Sequence, residues 1–273
     1  MSNIKFTNQI SNLLNMNAEN ETARIILFLR KTLKKTGLKH VVIGWSGGID
    51  STVSLYLLSK AIPEKNIHVL HLPHSTTYID ELSDLNISIP SQNTHEISIR
   101  NGVDDVWRTI KSIDSHNDKQ TNLEQVRLGN IMARIRMIVL FDYAKRINGL
   151  VCGTENRSEY LLGYFTRYGD EASDIEPIQH LYKTQVYQLA RYLKIPKRII
   201  DRQPTANLWK GQTDERDFGF TYKEADEVLS LYVDKKIPLK DIEKKGYTQT
   251  KKIIERLIDN AFKHKVPYKI FSI

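Results

Sequence analysis

The sequence is short of several things, and each shortage excludes a class of protein. It has one cysteine, Cys152, in 273 residues. A single thiol closes no intrachain disulfide, and a reducing cytoplasm is the natural setting. No apolar run approaches membrane-spanning length. The opening stretch MSNIKFTNQI lacks the charged-then-apolar plan of a signal peptide. No internal repeat and no low-complexity segment occurs. Positive charge is plentiful, with a net +8 and a sequence pI near 9.3. It is scattered, however, in pairs such as Lys34–Lys35, Lys235–Lys236, Lys244–Lys245 and Lys251–Lys252, without interleaved aromatics. That pattern reads as solvated surface, so neither a nucleic-acid partner nor a membrane is expected.

What is present is the composition of a soluble globular chain: 40% apolar and 26% charged. Short β-branched runs alternate with helical periodicity. Val41–Ile43, Ile67–Leu72, Thr94–Ile99 and Leu150–Cys152 read as strands. Helices are expected over Glu21–Lys35, after Asp50 as far as Pro63, over Val103–Ile113, Asn122–Arg146 and Lys183–Leu193, from Thr221 to about Tyr232, and over Thr248–Phe262. A short helix is suggested around Asp80–Leu85, and an exposed loop over His116–Thr121. Gly37 is a natural helix stop. Thr221 and Glu224 have the spacing of a capping box. Strands alternating with helices predict a doubly wound parallel α/β sheet. Residues 1–18, polar and Asn-rich, read as a loosely held arm, 19–265 as one domain, and 266–273 as a tail.

The chain is organised around VVIGWSGGIDS, residues 41–51. A buried strand, a glycine turn and a helix start follow one another. The glycines permit close backbone approach and positive φ, and amides at the helix N-terminus can converge on one anion. Asp50 would repel phosphate unless a divalent cation lies between them. The stretch has no Lys in the Walker A position. It resembles instead the SGGxDS signature of the PP-loop ATP pyrophosphatases, which cleave ATP between its α and β phosphates.

Two further stretches carry chemistry, and two other features do not. In the helix 122–146, Arg127, Asn130 and Arg134 share one face of an otherwise apolar segment, expected to be largely buried. Such a face needs an anion, either from other segments or from a ligand. Residues 154–177 interleave glycines, carboxylates and arginines after the fourth strand, where open α/β sheets bind ligands. His68, His71 and His74 are spaced by three, but on a strand such residues face opposite sides, so they read as polar strand-end residues, not metal ligands. Cys152 lies within an apolar run and reads as inert core.

Taken in order, SGGIDS at 46–51, GNIMARIRM at 129–137 and GTENRSEYLLGYFTRYGDEASDIEP at 153–177 form a set. KTQVYQLARYLKIP at 183–196, PTANLWKGQTDE at 204–215 and the His264–Lys265 pair complete it. The set resembles the ammonia-dependent NAD synthetases. The resemblance implies an adenine nucleotide alpha-hydrolase-like, flavodoxin-like sheet and a homodimer. It implies amidation of nicotinic acid adenine dinucleotide (deamido-NAD) with ATP, Mg²⁺ and ammonia. On it, Gly44, Trp45, Ser46, Gly47, Gly48, Ile49, Asp50 and Ser51 would hold ATP, with Thr154, Lys183 and Thr205. Asp50 and Glu159 would hold Mg²⁺, and Asp50 and Lys183 would be the catalytic residues. Arg134, Arg167, Asp174, His264 and Lys265 would bind deamido-NAD.

The chain departs from the family pattern in three places. Trp45 occupies a loop position that is usually a small aliphatic. His71, Leu72, Pro73 and His74 follow the second strand where some members place an Arg near the nucleotide. Arg167 stands where others have Lys, which keeps the charge but not the shape. No amidohydrolase segment is expected before Met1, so free ammonia is the expected donor, although a separate glutaminase subunit could deliver it. The rival expectations are amidation or thiolation of another acceptor (nicotinate mononucleotide, a purine nucleotide or a tRNA base) and a non-catalytic nucleotide-binding module. Thiolation would call for more cysteines, and the paired Asp50 and Glu159 argue against a module without catalysis.

Overall fold

The apolar, β-branched runs form four short parallel strands in the order β3-β2-β1-β4: β1 His40–Gly44, β2 Ile67–His71, β3 Thr94–Glu96 and β4 Gly149–Cys152. This computed structural model describes residues 13–75, 82, 84–113, 122–206, 208–209 and 211–270. From β1 the chain steps outward to β2 and β3, then returns to the other side of β1 for β4. The strand order therefore reverses between β1 and β4, and at such a switch point the loops leaving the strand ends diverge into a crevice. Ile43 of β1 pairs with Val69 on one side and Cys152 on the other. A bridge from Cys152 to Ile175 extends pairing past β4.

Helices cover both faces. α1 (Ala18–Thr36), α2 (Ile49–Ala61) and α6 (Lys183–Tyr192) pack with Val41, Ile43 and Val69 into one core. α3 (Arg100–Lys111) and α4 (Asn122–Arg146) cover the face of Val42, Leu70 and Val151. α5 (Arg157–Leu162), α7 (Lys197–Ile200), α8 (Asp214–Phe218), α9 (Tyr222–Leu229), α10 (Leu239–Glu243) and α11 (Thr250–Asn260) complete the described helices. Several of these gather a third apolar cluster around Phe218, Val228 and Ile253.

Several expectations are corrected. α1 starts at Ala18, earlier than the apolar pattern, because the Asn17 side chain accepts a 2.9 Å bond from Asn20 N. It ends as expected at Gly37, φ 75°, whose N–H reaches Leu33 O at 3.0 Å. The described end of the arm is not loose: Leu13 and Leu14 pack on the third cluster, and Met16 N donates to Gln188 Oε1 at 3.2 Å. The third strand stops at Glu96, although Ile97 N and Ile99 N still donate to His71 O and Pro73 O, both at 2.9 Å. Thr221 caps α9, but the box is only half formed. The Glu224 carboxylate accepts from Gln249 N instead, at 2.7 Å.

α4 is not largely buried. Ile131, Met132 and Tyr143 face the sheet, whereas Leu123, Val126 and Ile138 are 64%, 43% and 55% exposed. The helix has a sheet on one side only, so only one stripe is covered. His68 is not a strand-end polar residue either. It is buried in a chain of contacts running His40 Nδ1 to His68 Nε2 (3.1 Å), His68 Nδ1 to Tyr143 OH (3.2 Å) and Tyr143 OH to His95 Nε2 (2.9 Å). Burial, followed by the neighbouring His40 and His95, lowers its pKa to about 4. Cys152 is buried, and burial pushes its thiol well up, which keeps it inert. The helix suggested around Asp80 and the loop 116–121 lie outside the described residues, except for Leu82, Asp84 and Leu85.

Candidate active site

The turn after β1 is closed by its own hydroxyls. Ser51 Oγ and Thr52 Oγ1 donate to Gly48 O at 3.1 and 2.8 Å, and Ser46 N donates to Ser51 Oγ at 3.3 Å. Gly47 sits at φ 75°, a conformation that costs glycine little. Trp45 turns inward, 2% exposed, and its Nε1 donates to Thr52 Oγ1 at 3.1 Å. Gly48 is the N-cap of α2 and offers no side chain, so no cap claims the first-turn amides around Ile49 and Asp50. That is the arrangement an anion needs. Arg202 adds a donor to Gly47 O at 3.2 Å.

Three helix starts deliver the charged centre. Asp50 lies in the first turn of α2, Glu159 in the first turn of α5, and Lys183 opens α6. Lys183 Nζ donates to Asp50 Oδ2 at 2.6 Å and to Glu159 Oε1 at 3.0 Å. Asn156 couples the pieces. Its Oδ1 accepts from Glu159 N at 3.0 Å as the cap of α5, and its Nδ2 donates to Asp50 Oδ1 at 3.0 Å. Tyr222 OH donates to Asp214 Oδ2 at 2.9 Å, and its ring centroid lies 5.1 Å from the Lys183 ammonium. The start of α6 is itself anchored. Lys183 N donates to Ser158 Oγ and Thr184 N to Asp226 Oδ2, both at 2.8 Å, while Ser158 Oγ donates to Asp226 Oδ1.

Electrostatics keep Lys183 charged although it is 2% exposed. Burial pulls an amine's pKa down, but the carboxylates of Asp50, Glu159 and Asp214 outweigh it and hold Lys183 above its ordinary value. One cation facing three carboxylates leaves surplus negative charge. Glu159 shows it: burial raises its carboxyl pKa, and Asp50 and Asp214 oppose the relief from Lys183. Asp214 Oδ1 is buried without a hydrogen-bond partner. Asp50 and Glu159 therefore fit a further hard cation. Among the described residues no three His, Cys, Asp or Glu side chains form a metal cage. An ion here would take two carboxylates and find its remaining oxygens on phosphate and water, as Mg²⁺ commonly does.

Next to this centre lie two more carboxyls, Glu155 buried and Glu176 half-buried. Glu155 is 6% exposed, with Oε1 unpartnered and Oε2 accepting from Gln179 Nε2 at 2.8 Å. Burial raises its pKa to about 9 and that of Glu176 to about 8. Glu176 lies over Gly153, where a Cβ would stand 1.7 Å from its Oε1, so a side chain at 153 would displace the Glu176 carboxyl.

The five expected dinucleotide residues fall outside this centre. Arg134 is exposed, and its Nε donates to Arg167 O at 3.2 Å. The Arg167 guanidinium sits 5.3 Å from the Phe262 ring centroid. His264 lies 4.0 Å from the Tyr160 ring centroid, and its Nε2 is buried without a partner. Lys265 is exposed. Asp174 spends one carboxylate oxygen on Val151 N, at 2.8 Å. The Arg127–Asn130–Arg134 face finds partners locally: Asn130 Oδ1 accepts from Thr166 Oγ1 at 2.7 Å, and Arg127 lies 5.4 Å from the Trp107 ring centroid. Thr154 follows β4 directly, and Thr205 lies exposed three residues after Arg202.

Sequence reasoning missed Asn156, Asp214, Tyr222, Arg202 and Lys263. Asn156-x-x-Glu159 carries the spacing of a capping box and was legible. Lys263, whose Nζ donates to Gly163 O at 2.5 Å and Phe165 O at 3.1 Å, gave no signal among many surface lysines.

The family model for NAD synthase matches residues 21–267. The chain belongs to the NAD synthase family. Within that family it is 36% identical over 260 residues to the NH₃-dependent NAD(+) synthetase of Fusobacterium nucleatum, covering 94% of this chain and 97% of that one. With the corresponding protein of Thermoplasma acidophilum it shares 42% identity over 218 residues, 79% of this chain and 85% of the other. The fold matches an NH₃-dependent NAD synthetase from Campylobacter jejuni at a TM-score of 0.73 and 30% identity, covering 94% and 100% of the two chains. It also matches an NMN synthetase from Francisella tularensis at a TM-score of 0.74 and 30% identity, covering 95% and 99%. The strand order of this NAD synthase family member agrees with the sheet expected from sequence, and its glycine turn after β1 lies at the switch point. No described helix is long and apolar enough to cross a membrane.

Proposed function

We propose that the protein is a ligase that converts deamido-NAD to NAD, using ATP, Mg²⁺ and ammonia. The observation that carries this reading is the Asp50–Lys183–Glu159 cluster, 2.6 and 3.0 Å between charged atoms, beside a turn whose helix cap has no side chain. A carboxylate is a poor electrophile because ammonia cannot displace oxide. The nicotinate carboxylate oxygen therefore attacks the α-phosphorus of ATP, the bond to the bridging oxygen breaks, and pyrophosphate leaves. The ammonia nitrogen then attacks the activated carbonyl carbon, AMP departs, and one proton is released. No covalent enzyme nucleophile is needed.

The turn Gly44–Ser51 binds the ATP phosphates through backbone amides, and Thr154 and Thr205 border the nucleotide. Lys183 places a permanent cation where two anions must meet, which is stabilisation by prearranged charge. Asp50 and Glu159 hold Mg²⁺, which when bound neutralises phosphate charge. Asn156 and Tyr222 keep the carboxylates aimed. Arg134, Arg167, Asp174, His264 and Lys265 receive the dinucleotide. The protein works as a homodimer in the cytoplasm, and the exposed stripe of Leu123, Val126 and Ile138 on α4 supports a second copy as its cover. Free ammonia is the nitrogen donor.

The fold match to an NMN synthetase favours one second reading, the same chemistry on the mononucleotide. Incubation with ATP, Mg²⁺ and ammonium separates the two. Equal yields of NAD and AMP from deamido-NAD support the first reading. Faster amidation of nicotinate mononucleotide selects the second, and no AMP with either acceptor rejects both.

A further inference from the structure

The stretch GNIMARIRM holds a second arginine, Arg136, that the charged centre above leaves unused. α4 ends at Arg146, shortly before Gly149 pairs with His40 at the start of β1. Earlier on the same helix, Leu140 packs against Gly44 at the end of β1. The helix therefore runs against the strands. Arg136 lies one turn before Leu140, and about 6 Å of helical rise carries it past the strand ends.

There it is fixed. Arg136 Nε donates to Leu72 O at 3.0 Å. Leu72 follows β2, and the pairing of β1 with β2 continues beyond both strands, since Trp45 N donates to Leu70 O at 2.9 Å. The register that sets Gly44 against Leu70 then sets Ser46 against Leu72. The guanidinium is thus anchored beside the start of the glycine turn, on the α4 face of the sheet. Lys183 opens α6, which packs on the opposite face.

The charge of Arg136 has no counter-ion. Among the described residues it makes no ion pair, and its two terminal nitrogens have no hydrogen-bond partner. Neither nitrogen is sealed from solvent, and the side chain is half-buried. Burial lowers its pKa, and only the charge of Asp170 opposes that shift. Asp170 itself spends Oδ1 on Thr166 N at 2.9 Å. A partly desolvated cation without a partner is costly unless an anion arrives. The free edge of a guanidinium presents two parallel donors, which match two oxygens of one phosphate.

We propose that Arg136 grips a phosphate of ATP from the α4 face of the sheet, opposite Lys183, and is a further catalytic residue of the adenylation. The proposal rests on reading residues 46–51 as the ATP phosphate site. The attacking carboxylate and the triphosphate are both anions. Fixed cations on two sides of the phosphate chain offset their repulsion before the reaction begins.

Calorimetric binding of ATP, AMP and pyrophosphate, without acceptor or ammonia, tests this. Arg136→Met should bind ATP at least about tenfold more weakly than the wild type. An equal loss for AMP assigns the contact to the α-phosphate, and an equal loss for pyrophosphate assigns it to the terminal pair. Arg136→Lys, which keeps the charge but not the fork, should fall between wild type and Arg136→Met. Because the cation has no partner, ligand-free Arg136→Met should melt no lower than the wild type. ATP affinity within about threefold of the wild type in Arg136→Met overturns the proposal, as does weaker binding of deamido-NAD alone. If Arg136→Met does not fold, Arg136→Lys decides, and unchanged ATP affinity in it overturns the proposal. A wild type that binds no ATP rejects the phosphate reading of the turn and the proposal with it. The predicted loss in Arg136→Met, with no NAD formed by the wild type in the turnover assay, leaves the phosphate contact standing and rejects the amidation reading.

Discussion

Two cationic regions of this chain are built in opposite ways. Lys183 is sealed, 2% exposed, with its ammonium on two carboxylates and its backbone amide tied through Ser158 to the buried Asp226. Arg134 and Arg167 are open to solvent or half-buried, touching a backbone carbonyl and an aromatic ring respectively. The first region holds its geometry before any ligand arrives, which is what chemistry on a triphosphate needs. The second offers unneutralised charge at the surface, which suits capture of an anionic substrate. Reaction rate should depend on the sealed centre and substrate affinity on the open one.

The comparison breaks first at Lys183. Lys183→Ala should lower turnover at least about a thousandfold at saturating substrates. It leaves three carboxylates without their cation, so Mg²⁺ should raise the melting temperature of the variant more than that of the wild type, as followed by circular dichroism. Asp50→Asn or Glu159→Gln comes next, with an increase of about 10- to 100-fold in the Mg²⁺ concentration for half-maximal rate. An unchanged requirement in both would remove these two residues from the metal site.

Arg134→Ala should act on the other side of the comparison, raising KM for the dinucleotide about tenfold with kcat nearly unchanged. A fall in kcat with unchanged KM would place Arg134 with the sealed group. Ile138→Glu should shift the protein from dimer to monomer in sedimentation velocity, since a charge on an exposed apolar stripe disfavours its burial between copies.

The smallest effect is on stability. Glu155 keeps its proton to about pH 9 in the fold, against 4.5 as an ordinary carboxyl. Between those values the folded chain holds a proton that the unfolded chain has lost. Its contribution is therefore full below about pH 4.5 and falls as pH rises toward 9. Glu155→Gln should flatten the decline of melting temperature across that window, raising it by a few degrees at pH 8.5. A parallel decline in variant and wild type would contradict the assignment.

The sealed centre is partly legible in the sequence. Asp50 stands out as a carboxylate in a glycine turn, whereas Lys183 is marked only by the resemblance to the NAD synthetases. The strand–turn–helix context placed Asp50 without ambiguity. Asp214 and Tyr222 were not legible, since they lie on short C-terminal helices whose packing, not periodicity, sets their position. The spacing of Arg127, Asn130 and Arg134 on α4 is legible in the sequence, but the helix is less buried than its apolar content suggests. Apolar content shows that a helix can be covered, not by what, and on α4 the uncovered stripe carries Leu123, Val126 and Ile138. The burial of His68 is hidden from the sequence for a similar reason. A strand position alone does not show that Tyr143 from a distant helix will stand against it.

The most direct test of the sealed centre is exchange of labelled pyrophosphate into ATP with deamido-NAD present and ammonia absent. The account predicts exchange that requires deamido-NAD and is lost in Lys183→Ala, because adenylation is reversible and precedes amide formation. Exchange that persists in Lys183→Ala, or that proceeds without any acceptor carboxylate, would contradict it.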